Sequence, residues 1–139
     1  MGRLLMRLLV LGWMAVLSMT AFAEVIPVDN ATLARLMEKG VPLVDIRTEG
    51  EWRSTGIIAG SRTLTFFDER GQANPSAWLE QARRIAPPDR PLILVCRSGN
   101  RTREASRFLS EQARYRTVYH LERGLAGWVG EGRPLSSWR

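Results

Sequence analysis

Leu92-Ile93-Leu94-Val95-Cys96-Arg97-Ser98-Gly99-Asn100-Arg101-Thr102 passes from four apolar residues into a polar turn with glycine at its centre. The apolar run is short and partly β-branched, which predicts a buried strand. Beyond the turn, Ala105, Phe108, Leu109 and Gln112 recur at helical spacing, so a helix follows. A strand, a tight loop and a helix in that order direct loop N–H groups and a helix N-terminus at one point, which favours negative charge. Cys96, the single cysteine of the 139 residues, occupies that point. The site favours its thiolate, the reactive form, and Arg97 and Arg101 act in the same sense. An inert buried cysteine is the alternative. Two arginines and a Gly-Asn turn are poor surroundings for one.

Outward from this segment, strand and helix signals alternate. Val25 to Val28 reads as a short edge strand. Asp29 or Asn30 can cap a helix carrying Leu33, Leu36 and Met37, closed by Gly40. Val41 to Ile46 reads as a buried strand, Glu49 to Trp52 as a short helix ended by Gly56, and Ser61 to Phe67 as another strand. Asn74-Pro75 opens a helix with Trp78, Ala82 and Ile85 on its apolar stripe, stopped by Pro87-Pro88. Thr117 to Leu121 is a last core strand and Gly124 to Val129 a short terminal helix. The pattern predicts an α/β fold with a mainly parallel central sheet and helices on both faces. Sites in such folds lie at the carboxyl ends of strands, where Cys96 falls.

The amino terminus sets the expected compartment. Arg3 and Arg7 precede an almost unbroken apolar run from Leu8 to Met19, and Ala21-Phe22-Ala23 supplies a small-x-small cleavage site. This reads as a signal peptide over residues 1–23, with Glu24 as the first mature residue. An uncleaved anchor is the alternative, but the apolar run is shorter than the ~20 residues that span a bilayer. The expected location is periplasmic or secreted, with no membrane attachment after cleavage. Residues 24–139 then make one domain, long enough for a single core. A lone cysteine forms no internal disulfide even where the compartment permits one.

The formal charge is +6, falling to +4 when Arg3 and Arg7 leave with the signal, and every basic residue except Lys39 is arginine. Such a field gathers small anions. Nucleic acid is a poor partner, because the arginines are scattered without interleaved aromatics. No metal site is expected, since His120 is the sole histidine and no second cysteine exists. His120 itself lies in a strand pattern and reads as structural.

Three segments now carry a resemblance. Leu43-Val44-Asp45-Ile46-Arg47 followed by Glu51-Trp52, Cys96-Arg97-Ser98-Gly99-Asn100-Arg101-Thr102, and Leu121 through Trp128 stand in order along the chain. The chain resembles the single-domain rhodanese-like sulfurtransferases from roughly Val28 to Leu135. The first segment is similar to the family's opening motif, the second to its active loop and the third to its closing Leu-x-Gly-Gly segment. Two positions depart from the pattern: Ile57 stands where the family often has His, and Arg123 replaces the first Gly of the closing pair.

The resemblance implies a rhodanese-like fold and a two-step sulfur transfer without a cofactor. Cys96 would attack a small anionic donor such as thiosulfate and carry the sulfur as a persulfide to a thiol or cyanide acceptor. Arg97, Ser98, Gly99, Asn100, Arg101 and Thr102 would bind the substrate, their N–H groups cradling the persulfide and Arg97 and Arg101 guiding the donor. Thr102 could instead cap the next helix. Asp45, Arg47 and Glu51 read as a structural charge cluster holding the strand end near the loop. Other readings are a persulfide carrier or binding module serving a partner protein, and a cysteine phosphatase. The last fits poorly, since only four residues separate Cys96 from Arg101 and phosphatase loops have one more.

Overall fold

The computed structural model describes residues 23–139. The signal-peptide reading of residues 1–23 falls, except for Ala23, outside the described residues. Five strands, β1 (Glu24–Val28), β2 (Leu43–Asp45), β3 (Arg62–Thr63), β4 (Leu92–Val95) and β5 (Thr117–Leu121), form one sheet in the order β1-β5-β4-β2-β3. All pairings are parallel. Helices α1 (Asn30–Glu38), α2 (Glu49–Thr55), α3 (Pro75–Ile85), α4 (Asn100–Glu111) and α5 (Gly124–Gly130) connect or follow them.

β4 is the middle strand, and all four of its side chains are buried. Its alternation divides two cores. Leu92, Leu94 and Cys96 belong with Trp78, Ala82, Ala105 and Leu109 of α3 and α4. Ile93 and Val95 belong with Leu33, Leu125 and Trp128 of α1 and α5. A strand apolar on both faces is what a sheet covered on both sides demands. The chain runs from β2 outward to β3 and then returns past β2 to β4. The crevice between the carboxyl ends of β2 and β4 is therefore the topological switch point, where such sheets bind ligands.

Three expected elements differ in extent. The strand over Val41 to Ile46 begins at Leu43, because Val41 N–H is taken by Leu36 O at the end of α1 and Pro42 has no N–H to give. The strand over Ser61 to Phe67 shortens to Arg62–Thr63. Leu64 and Phe66 still donate to Asp45 and Ile46 carbonyls, but Phe66 turns into the core against Phe67, Trp78 and Phe108. Gln112 ends α4 exposed, and Ala113 takes the buried place.

Gly124 opens α5 at φ +60°, and a Cβ there would lie 2.5 Å from the carbonyl carbon and oxygen of Arg97. Those backbone atoms cannot yield. Gly124→Ala combines a left-handed backbone with this overlap and is expected to cost about 3 kcal/mol. Thermal unfolding should report a midpoint lowered by about 10 °C; an unchanged midpoint would show that the turn relaxes freely.

Candidate active site

Cys96 follows the last residue of β4 and is 1% exposed. Its Sγ accepts the Gly99 N–H at 3.2 Å and lies 3.7 Å from Thr102 Oγ1. Gly99 is the N-cap of α4 in the left-handed conformation, φ +95° and ψ −7°. That conformation turns its N–H back toward the sulfur while the chain enters the helix. A Cβ at Gly99 would stand 2.2 Å from Glu122 O, so glycine is also required by proximity. Among the loop N–H groups expected to cradle sulfur, Gly99 is the one bonded to Sγ.

Thr102 sits in the first turn of α4 rather than at its cap. Its hydroxyl donates to Gly99 O at 3.0 Å and stands 3.3 Å from His120 Nδ1. Thr102 and His120 are buried, and burial, with Arg103 adding to it, lowers the pKa of His120 and keeps the ring neutral. Sulfur, hydroxyl and imidazole thus make a buried polar chain from β4 through α4 to β5. The sequence reading left His120 outside the site. Its clue is positional: His120 lies beside Leu94 in the parallel register, one strand over and two residues short of the cysteine.

The opening motif builds the opposite wall from two ion pairs. Arg47, 1% exposed, binds both carboxylate oxygens of Asp45 through Nε at 3.0 and 3.1 Å and through Nη2 at 2.8 Å. Nη1 bonds Thr55 Oγ1 and Nη2 also bonds Gly56 O, each at 2.8 Å, which fastens the end of α2 to β2. Glu51 works at the other end of that helix. Its carboxylate accepts the Thr48 N–H in a capping box. It also takes two bonds of 2.8 Å from Arg101. The expected charge cluster is therefore two separate devices, and only Glu51 reaches the loop. The Thr48-x-x-Glu51 spacing is a local sequence signal for such a cap that the sequence reading did not take up; the partnership with Arg101, fifty residues away, has no local signal.

Arg101 accordingly comes to the loop with both terminal nitrogens committed to a carboxylate, while its charge still bears on Cys96. Arg97 and Ser98 are exposed, and among the described residues the Arg97 guanidinium has no hydrogen-bonded or ionic partner. Asn100 is exposed and accepts from Arg103 at 3.5 Å.

A model of the rhodanese-like domain family matches residues 29–131. The chain belongs to the rhodanese-like domain family. The uncharacterized protein YibN of Escherichia coli K12 is 33% identical over 138 residues, which cover 92% of this chain and 89% of YibN. The thiosulfate sulfurtransferase GlpE of Shewanella oneidensis is 33% identical over 90 residues, covering 65% of this chain and 77% of GlpE. Among solved structures, a rhodanese-related protein from Thermoplasma volcanium superposes with a TM-score of 0.61 at 26% identity, covering 81% of this chain and 99% of that one. Rv0390 from M. tuberculosis gives 0.63 at 25% identity, covering 84% and 99%.

Both departures from the family pattern have a structural account in this rhodanese-like domain. Arg123 has φ −98°, which any residue adopts, whereas the retained Gly124 carries the positive φ and the close contact. Ile57 exchanges backbone hydrogen bonds of 2.8 and 2.7 Å with Ser136 in the carboxyl-terminal tail. That bridge uses no side chain at position 57.

Arg101 holds the Glu51 carboxyl well below its ordinary 4.5, at about 2, against the opposing effect of burial. A depressed carboxylate pKa stabilises the fold above the unfolded value and loses that stabilisation as pH falls through the folded one. Glu51→Gln is expected to cost ~1–2 kcal/mol at pH 7, after allowance for partial solvent exposure. The gap to wild type should close between pH 4.5 and about 2. Urea unfolding across that range measures it, and a gap independent of pH would show that the pair contributes nothing through charge.

Proposed function

We propose that this rhodanese-like domain is a thiosulfate-type sulfurtransferase that moves sulfane sulfur through a persulfide on Cys96 to a thiol or cyanide acceptor. The observation that carries the reading is the environment of Sγ: the Gly99 N–H at 3.2 Å, the Thr102 hydroxyl at 3.7 Å, and the unpaired Arg97 cation at the loop mouth. Cys96 thiolate attacks the outer sulfur of the donor, and the S–S electron pair leaves with sulfite. Arg97 meets the incoming anion as a charge-assisted donor. The Gly99 N–H, aligned with the amino end of α4, stabilises negative charge on sulfur in both states without reorganisation. An acceptor nucleophile then takes the outer sulfur and returns the thiolate. The sulfurtransferase name borne by the S. oneidensis relative supports the same reading.

The phosphatase alternative fits the loop poorly. Four residues separate Cys96 from Arg101, and the Arg101 terminal nitrogens that would meet a phosphoryl group are bonded to Glu51. Incubation of reduced protein with thiosulfate should add the mass of one sulfur atom at Cys96, removable by a thiol reductant. Cys96→Ser should remove both this adduct and thiosulfate:cyanide turnover while leaving the fold intact, because a hydroxyl lacks thiolate character. Residual turnover within ~10-fold of wild type would remove Cys96 from the role of nucleophile. Loading without turnover to cyanide or small thiols would make the protein a carrier, and Cys96-dependent hydrolysis of an aryl phosphate without loading would make it a phosphatase.

We further propose that the domain acts outside the cytoplasm as residues 24–139. β1 begins at Glu24, whose N–H bonds to Arg116 O at 2.9 Å, so the five described strands all lie within residues 24–139. Protein recovered from the periplasm or medium of a secreting bacterial host should begin at Glu24 by amino-terminal sequencing. Exported protein that retains Arg3 and Arg7 would mean an anchored form.

A further inference from the structure

A groove of about 580 Å³ opens beside the active loop, between α2 and α5. Its apolar wall is formed by Leu125, Ala126, Val129 and Leu135. That wall is tied to the nucleophile's own backbone: Leu125 N–H donates to Cys96 O at 2.9 Å and Ala126 N–H to Arg97 O at 3.0 Å. Val129 is 51% exposed, one of the few large apolar side chains left so open among the described residues. The charges on the opposite side are already neutralised, Arg47 by Asp45 and Glu51 by Arg101. Among the described residues, Arg97 alone faces the groove as an unpaired cation. The lining thus asks for one anionic head next to Cys96 and an uncharged, apolar body beyond it. Neither thiosulfate nor cyanide has such a body, and a volume of this size suits a small organic molecule.

We propose that this groove is the acceptor site and that it selects an organic thiol with an uncharged apolar body, its thiolate steered by Arg97. The assignment rests on the sulfur-transfer reading above. The acceptor thiolate attacks the outer sulfur of the Cys96 persulfide and forms a new S–S bond. The old S–S bond breaks, and its electron pair returns to Sγ as the Cys96 thiolate. The product is the acceptor's persulfide, and no oxidant or reductant enters.

Benzyl mercaptan and 2-mercaptoethanol, thiols of similar acidity, make the test. With Cys96 loaded by thiosulfate or polysulfide, the benzyl thiol should discharge it with a kcat/KM at least about 10-fold higher, given the extra apolar surface it covers. Val129→Gln, at an exposed helix position, removes apolar surface without adding charge beside Arg97 and should bring the two thiols within about 2-fold of each other, each rate read against the same variant's own loading and cyanide turnover. Benzyl methyl sulfide, which cannot accept sulfur, should shift the amide resonances of Leu125, Ala126 and Val129 in wild type and not in the variant. Equal use of the two thiols by wild type would overturn the proposal. So would a Val129→Gln loss shared equally by both thiols and cyanide. Sulfide binding in the groove of a protein that never loads sulfur would refute the sulfur-transfer reading and with it the acceptor role, leaving the groove as a binding site for apolar molecules.

Discussion

The backbone of the loop after β4 is pressed against the turn between β5 and α5, and the geometry of the site follows from that contact. Gly99 approaches Glu122 O and Gly124 approaches the Arg97 carbonyl so closely that neither has room for a Cβ. Two hydrogen bonds, from Leu125 to Cys96 and from Ala126 to Arg97, complete the clamp. Both Cys96 and Arg97 therefore have their carbonyls consumed by α5, which leaves the loop's N–H side to face the sulfur. Because β4 and β5 are neighbours in the sheet, the clamp joins adjacent strand ends. Its position is set by the rigid sheet and owes nothing to loop length.

The second wall is held by charge, and the two ion pairs differ in kind. Asp45 and Arg47 are almost wholly excluded from water, so their separate desolvation would be costly. Arg47 offsets this by bonding all three side-chain nitrogens to oxygens, Nε and Nη2 to Asp45, Nη1 to Thr55 and Nη2 also to Gly56. Such a pair holds the end of α2 against β2. Glu51 and Arg101 are each a little over a quarter exposed, and their pair joins the amino ends of α2 and α4. A carboxylate at the first turn of α2 also suits that helix's dipole. Arg101 is thereby restrained as part of the scaffold, whereas Arg97 is exposed and, among the described residues, unpaired.

Much of this was legible in the chain itself. A strand buried on both faces, a glycine-centred turn and an amphipathic helix identify the central β4–α4 unit by local pattern alone, and the alternating elements around it imply a parallel sheet. The short extent of β3 was not legible, because the same β-prone residues serve either as strand or, as at Phe66, as a turn into the core; tertiary packing decides between them. The pairing of Glu51 with Arg101 and the approach of His120 to Thr102 also escaped the sequence reading. Both depend on which strands lie side by side, and parallel order is not encoded in local spacing. Gly124 is the opposite case: an apparent departure at Arg123 proves harmless once the dihedral angles show which of the two positions needs glycine.

Burial of Cys96 imposes its own selectivity. With Cys96 1% exposed at the floor of the loop, a mixed disulfide with a second protein is disfavoured, because the two Cβ atoms of a disulfide must come within ~3.8 Å of each other. The loop and the clamp above it occupy that space. A persulfide has a different reach, since its outer sulfur stands about 2.05 Å further out along the S–S bond. In the proposed persulfide the transferable atom would therefore stand further from Cys96 Cβ than Sγ, which accepts the Gly99 N–H. The same burial that disfavours a mixed disulfide is compatible with the proposed transfer of a single atom. A lone thiol can in this way remain usable without a second cysteine to protect it.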